Sequence, residues 1–346
     1  MRRILICLAL TLMLSQPVFG VSIEPPIAPH SAQEYMPDEI DSFGDDLWYI
    51  ITSAFSVLTP SVNEAARICV ALVGITLLVS LSDHFGDSVK RVSDIIGALS
   101  MGMLLLKPVN TLLNLGIETV KQIADYGKLL LPVMTAAMAA QGSITASGAL
   151  YVGTAFFSAL LSSLVTTIIV PMIYVFVCLS IANCALGDKM LQSLRDFSKW
   201  SMTWALKMIL YIFTGYMGIT GVVSGTADAA AVKATKLAIS GSVPVVGSIL
   251  SDASEAILVS AGVMKSAAGV YGILTVIAIF IGPFLRIGVQ YLVLKFTSAI
   301  CGAFGSKRPV ELINSFSGAM GLILGMTGTV CLLQLISTVC FMKGVG

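Results

Sequence analysis

The run from Ala149 to Ala185 contains no charged residue and is longer than one ordinary membrane span. A helix that crosses a bilayer needs about 20 consecutive apolar residues, because lipid cannot satisfy its backbone N–H and C=O groups. Across all 346 residues, 56% are apolar and 11% are charged. Soluble domains carry about a quarter charged residues. The sequence therefore predicts an all-α, polytopic membrane protein.

The apolar segments predict about six spans. Pro171 lies in the second half of the longest one, which fits either a single tilted, kinked helix with a partly inserted entrance segment or two tight spans. Between the second and third spans, Lys107 to Lys128 mixes charges with apolar residues at helical spacing and predicts an interfacial amphipathic helix. The expected spans are Ile68–Leu81, Val92–Leu106, Ala149–Ala185, Trp200–Val223, Gly269–Leu294 and Phe316–Phe341.

Residues 1–20 have the pattern of a secretory signal peptide. Arg2 and Arg3 precede an apolar core from Ile4 to Leu14, and small residues end the segment at Gly20. Cleavage after Gly20 is expected. An uncleaved anchor is the alternative, although the apolar core is short for a span.

Residues 21–64 form an acidic extracytoplasmic arm in this interpretation. The part from Val21 to Pro60 has seven acidic residues and no Lys or Arg. Cytoplasmic flanks of spans are the basic ones, so this segment is expected on the outer side. Pro25-Pro26 and the low apolar content up to Asp41 predict a solvated, loosely attached arm. Docking to a basic partner surface is the alternative.

Three short loops carry a high density of basic residues. They are Asp83 to Arg91, Gly187 to Lys199 and Gly305 to Asn314. The positive-inside rule places all three in the cytoplasm, and the mature N-terminus then lies outside.

A set of residue pairs, each separated by 112 positions, suggests an internal repeat. Val120-Lys121, Leu131-Pro132-Val133 and Pro171 return as Val232-Lys233, Val243-Pro244-Val245 and Pro283. After a first membrane hairpin at 65–106, the units would be 107–225 and 226–346. Each would hold an amphipathic or re-entrant hairpin, a Pro-bearing span, a basic turn and a Gly-rich span, in parallel orientation. Chance identity between apolar segments is the alternative.

Catalytic and metal-binding patterns are missing from the sequence. Only two histidines occur, His30 and His84, and no His, Asp or Glu group has metal-ligand spacing. The seven cysteines show no C-x-x-C spacing. Neither a phosphate-binding loop nor a nucleophile beside a base is present. The expectation is a non-enzymatic protein without a cofactor or metal, and without a basic surface for nucleic acid.

Arg286 is the strongest candidate for a functional residue, because a cation inside a span normally faces protein, water or a counter-charge. Asp252 and Glu255 are candidate partners. In one interpretation Arg286 lines a polar path or a subunit contact; in the other, Arg286 and Lys295 bracket a membrane edge. Asp252 also has the spacing of a helix N-cap, with Glu255 three residues later.

The stretch from Lys233 to Arg286 resembles the stage III sporulation protein AE family of endospore-forming bacteria, and the similarity extends from about Ala65 to the end. The residues that carry it are Lys233-x-x-Lys236-Leu237-Ala238, Val243-Pro244-Val245-Val246-Gly247, Leu250-Ser251-Asp252-Ala253, and Pro283 with Arg286. The candidate residues taken from this stretch are Pro244, Gly247, Asp252, Glu255, Pro283 and Arg286.

The resemblance implies a core component, permease-like in character, of a secretion-like channel complex that connects mother cell and forespore. It implies a location in the mother-cell membrane around the forespore, and ring-forming and ATPase subunits among the other stage III sporulation membrane proteins as partners. Forespore development would depend on the complex. The alternative is a scaffold that assembles those partners and conducts nothing.

Overall fold

The computed structural model describes residues 25–37, 42–82, 85, 87–242, 247–304 and 307–343; for residue 87 and residues 221–265 it describes the backbone alone. The described residues form nine α-helices and one π-helical turn, with no strand. The helices are α1 His30–Gln33, α2 Phe43–Ser56, α3 Thr59–Ser82, α4 Asp87–Ala140, α5 Ile144–Leu164, α6 Val170–Leu186, α7 Lys189–Ser242, α8 Gly247–Gly302 and α9 Lys307–Lys343.

The predicted all-α membrane architecture is confirmed. Six helical segments among the described residues are long and apolar enough to cross a bilayer. They are Thr59–Ser82, Ser88–Ala140, Ile144–Leu186, Lys189–Thr220, Ser266–Gly302 and Lys307–Lys343.

Helix α4 corrects one expectation. The sequence predicted a span, a separate amphipathic helix and a turn at Leu131-Pro132-Val133, but a single helix of 54 residues runs through all three. Proline costs a helix one hydrogen bond and a clash. Buried contacts of the flanking Leu130 and Met134 offset that cost, so packing outweighs local propensity.

The chain turns instead at Gly142, ten residues after Pro132. Gly142 has φ 89°, a left-handed conformation that favours glycine. Its N–H donates to the Ala139 carbonyl at 2.9 Å and closes the end of α4. The first of the two equivalent hairpins expected from the repeat is therefore absent at Leu131-Pro132-Val133, where the helix continues. The duplication stays a prediction.

Helices α5 and α6 form one kinked span, as the first of the two alternatives for Ala149–Ala185 had it. The π-helical turn Val165–Ile169 joins them directly before Pro171. Because Pro171 has no N–H to donate, a local change to wider hydrogen-bond spacing accommodates it. The sequence signal for this kink is the proline itself.

Helices α8 and α9 form the centre of the bundle. In their apolar windows 50% and 61% of residues are buried, against 39% or less in the other four spans. Small residues let the helices approach closely. A Cβ at Gly127 of α4 would lie 2.5 Å from Gln334 Oε1 of α9, whereas Cβ atoms at Gly215 and Gly218 of α7 would meet nothing within 4 Å.

The three basic loops gather at one end of the bundle, called here the loop end. Ser80 Oγ donates to the Phe304 carbonyl at 2.8 Å, which joins the ends of α3 and α8. Arg308 of α9 lies against Gly187, between α6 and α7. Two spans were expected between each of these loops and the next. An even number of crossings returns the chain to the same side, and the grouping agrees with this.

The solvated arm is wrong for residues 25–37, called here the docked arm. Ala28, Ala32 and Tyr35 are buried against the bundle. The Ala28 N–H donates to Tyr271 Oη at 3.3 Å, and a Cβ at Gly282 would lie 2.9 Å from Tyr35 Oη. The acidic composition of the arm gave no sign of these three apolar contacts, of which only Ala32 lies in the short helix α1.

Helix α2 continues the packed part of the arm. Ile50 and Ala54 are buried, while Trp48 and Phe55 are exposed. Aromatic residues on the open face of an amphipathic helix are typical of the membrane interface.

Several expectations fall outside the described residues. They include the signal peptide at 1–20 and Pro244. The side chains of Asp252 and Glu255 also lie outside them, but the backbone of α8 begins at Gly247, so the expected helix N-cap at Asp252 is wrong. Gly247 is the first residue of α8, and Pro283 lies inside that helix.

Candidate functional site

Arg286 lines a pocket of about 440 Å³ between α3, α4 and α8. The side chain is half-buried and lies one turn beyond Gly282, where the docked arm packs. The lining residues are Ser61, Glu64, Pro108, Thr111, Leu112, Asn114, Leu115, Glu118, Arg286 and Gln290. We call this cavity the Arg286 pocket.

The Arg286 pocket holds two carboxylates, Glu64 of α3 and Glu118 of α4. Both side chains are exposed. Among the described side chains, no carboxylate oxygen lies within 4 Å of the Arg286 guanidinium. The arrangement places one cation opposite two anions across an open space rather than in a closed ion pair.

Gln290 lies one turn beyond Arg286 on the same face of α8. The residue is 6% exposed, and its Nε2 has no hydrogen-bond partner in the described structure. Buried side-chain amides are nearly always paired, so this unpaired donor marks the pocket wall as incomplete.

A short hydrogen-bond chain connects the docked arm to the Arg286 pocket. Ser31 Oγ donates to Gln122 Oε1 at 2.5 Å. Gln122 Nε2 in turn donates to Glu118 Oε1 at 3.2 Å. The arm therefore helps to orient one of the two pocket carboxylates.

A second polar cluster lies at the loop end and is built around Arg195 of α7. Nη1 donates to Glu311 Oε1 of α9 at 2.7 Å, and Nη2 donates to Asp196 Oδ1 at 2.9 Å. The Arg195 side chain is 8% exposed. Glu311 also accepts a hydrogen bond from Asn183 of α6 at 3.5 Å. The Arg195 guanidinium thus connects α7 and α9, and Glu311 extends the connection to α6.

Arg308 adds a fourth helix to this cluster. Its Nη1 donates to Asp94 Oδ2 of α4 at 2.8 Å, and the Asp94 side chain is 8% exposed. The guanidinium lies against Gly187, where φ is 69° and a side chain would collide with it. We call Asp94, Arg195, Glu311 and Arg308 the loop-end network.

A second cavity, of about 550 Å³, lies between α4 and α5. Lys128 and five residues with a hydroxyl group line part of it, including Ser162 before the π-helical turn and Thr166 within it. Thr166 Oγ1 donates to the Ser162 carbonyl at 3.0 Å, which satisfies the hydroxyl inside the helix. The bundle therefore has polar openings on two sides of α4.

The family model of stage III sporulation protein AE matches residues 34–344. The chain belongs to the stage III sporulation protein AE family. It is similar to the stage III sporulation protein AE of Bacillus subtilis (strain 168), with 21% identity over 301 residues, which cover 86% of this chain and 75% of the relative. No solved structure matches the chain.

The family match contains the Arg286 pocket and the loop-end network in full, and it begins inside the docked arm. This AE-family chain therefore has both charged clusters within the part that it shares with the family. Among the described residues, no group of three or more His, Cys, Asp or Glu side chains is arranged to hold a metal ion.

Sequence analysis found Arg286 but none of its neighbours in the pocket. Glu64 and Glu118 lie on distant segments, and no local pattern connects them to α8. The loop-end network was also missed, because Arg195 and Arg308 counted only as basic loop residues. The available signal was Asp94, an acidic residue inside the predicted span Val92–Leu106, and Glu311, which lies shortly before the predicted span Phe316–Phe341.

Proposed function

We propose that this AE-family chain is a core integral-membrane component of a stage III sporulation channel complex, secretion-like in organisation, that connects mother cell and forespore and supports forespore development. In this proposal the Arg286 pocket borders a polar, permease-like path. The charged pocket between candidate spans is the observation that carries it.

The charged side chains of the Arg286 pocket would be costly if they faced lipid. Arg286, Glu64 and Glu118 line a surface between helices that are otherwise apolar. An ionised side chain that faces lipid costs at least about 2.5–3.5 kcal/mol at the middle of a span. Water or protein on this face removes that cost. A polar path, open or formed between subunits, provides it.

The proposed location is the mother-cell membrane that surrounds the forespore, with the mature N-terminus extracytoplasmic and the loop end in the cytoplasm. The basic loops support this orientation through the positive-inside rule. The proposed partners are ring-forming and ATPase subunits and other stage III sporulation membrane proteins, with the lipid bilayer as solvent. The role is non-enzymatic and involves no nucleic acid.

The alternative function is a membrane scaffold that assembles those partners without conducting. The loop-end network favours it, because ion pairs connect the ends of α4, α7 and α9. Beside it, the exposed rings of Trp200 and Trp204 stack with centroids 6.2 Å apart. An apolar surface next to a rigid ionic frame suits a permanent partner.

Cysteine accessibility scanning along α8 separates the two functions. Single cysteines from Ser266 to Gly302, in a chain without its native cysteines, are treated with a membrane-impermeant thiol reagent in sporulating cells. A conduit predicts helical periodicity, with position 286 labelled and the buried Leu274 and Ile287 protected. Uniform protection along α8 would refute the conduit and leave the scaffold.

A further inference from the structure

The two walls of the Arg286 pocket have opposite hydrogen-bond character. Helix α8 supplies the donor, the half-buried Arg286 guanidinium. Helices α3 and α4 supply carboxylate acceptors, Glu64 and Glu118. A guanidinium only donates hydrogen bonds, and an ionised carboxylate only accepts them. The donor wall therefore needs a hydrogen-bond acceptor, and the acceptor wall needs a donor.

The described structure leaves these groups without direct partners across the space. No described carboxylate lies within 4 Å of Arg286, and Gln290 Nε2 is unpaired. The pocket volume of about 440 Å³ lies in the range of small-molecule sites, about 300–1,000 Å³. Space and unpaired groups therefore occur in the same place.

The charges decide which ligand class fits. One cation and two carboxylates give the lining a formal charge of −1, which repels a simple anion. A simple amine would pair with Glu64 and Glu118 but would leave the Arg286 guanidinium without a counter-ion. A ligand with one carboxylate and one or two ammonium groups satisfies both walls.

We propose that the Arg286 pocket binds a small zwitterion of the amino-acid class. The ligand carboxylate lies against Arg286, and its ammonium groups lie against Glu64 and Glu118. Because the lining has a net charge of −1, basic amino acids bind tightest and acidic ones weakest. This assignment rests on the proposed function, for which it names the substrate class.

The first test measures binding to the purified full-length chain in lipid nanodiscs by isothermal titration, with L-lysine as the probe. Saturable binding of L-lysine is expected, with weaker binding of L-lysinamide, which lacks the carboxylate, and of L-glutamate. This series needs no variant. Equal affinity for L-lysine and L-lysinamide, or no saturable binding of L-lysine, would overturn the proposal.

Variants then assign each wall. Arg286→Gln is expected to raise the Kd for L-lysine by about tenfold to a hundredfold, since one charge-assisted hydrogen bond is lost. The Kd for L-lysinamide should stay unchanged or fall, because loss of the cation changes the formal charge of the lining from −1 to −2. Glu118→Gln should weaken both ligands. Lys207→Gln removes an exposed cation on α7 and should change neither. Equal loss of both ligands in Arg286→Gln would contradict the assigned geometry.

The binding test and the accessibility scan fail independently. A periodic accessible stripe on α8 without L-lysine binding supports the conduit and refutes the amino-acid assignment. L-lysine binding with uniform protection of α8 supports the site and refutes the conduit.

Discussion

The ion pair between Arg195 and Glu311 permits a quantitative test of the loop-end network. Glu311→Ala removes a carboxylate oxygen 2.7 Å from Arg195 Nη1 and leaves a guanidinium that is 8% exposed. Removal of one partner from a buried pair costs about 3–5 kcal/mol, because the remaining charge stays desolvated.

Two features of the structure lower that value here. Asp196 still accepts hydrogen bonds from Arg195 at 2.9 and 3.0 Å, and the Glu311 side chain is 40% exposed. We therefore expect Glu311→Ala to lower the free energy of unfolding by about 2–3 kcal/mol, with a pairwise coupling of at least about 1.5 kcal/mol.

The assay is a double-mutant cycle with Arg195→Met and Glu311→Ala, measured by reversible unfolding in mixed micelles. The chain offers a matched control. Asp125 and Lys128 lie at the same distance, 2.7 Å, but their side chains are 68% and 72% exposed. An exposed pair of this kind is worth about 0.3–0.5 kcal/mol.

The result that would refute the reasoning is a coupling below about 0.5 kcal/mol for Arg195 and Glu311, equal to that of the exposed pair. The ion pairs of the network would then contribute no more to the free energy of unfolding than exposed ion pairs do. A coupling several times that of the control supports its role in fixing the helix ends.

Three further predictions concern close helix contacts and the pocket. Gly153→Ala should lower the free energy of unfolding by about 1–3 kcal/mol, because its Cβ would collide with the ring of Tyr216, whose hydroxyl donates to the Ala149 carbonyl at 3.0 Å. Gly215→Ala, with open space, should be neutral or stabilising when unfolding is measured in mixed micelles. Gly282→Leu should displace the docked arm and raise the rate of amide hydrogen exchange in it. An unchanged exchange rate would contradict the docking. The Arg286→Leu variant should insert into the membrane normally, as membrane fractionation would check, but should abolish spore formation. The control variant Lys207→Leu should sporulate normally. Full sporulation of the Arg286→Leu variant would remove any role for the pocket.

The spans could be predicted from the sequence because bilayer thickness imposes long apolar runs whatever the neighbours are. Pro132 shows the limit of local rules. A proline in a small-residue context predicted a turn, yet the buried flanks of α4 keep the helix intact through it. A proline in a helix interior costs about 3 kcal/mol relative to alanine. The packing of α4 over several turns outweighs that cost.

The candidate site could be predicted only in part. Arg286 stands out because its apolar surroundings make a cation expensive, which is a property of one segment. The opposing carboxylates reach it through the packing of α3 and α4 on α8, and no sequence period reports that packing. The docked arm was hidden in the same way, since its acidic residues outweighed the buried Ala28, Ala32 and Tyr35.

The most direct test of the central claim is a density map of the assembled complex in lipid at a resolution that shows side chains. A polar path predicts a water-accessible opening that passes Arg286 and continues across the bilayer. A map in which a partner subunit or lipid fills the Arg286 pocket, with no opening beside it, would contradict the claim.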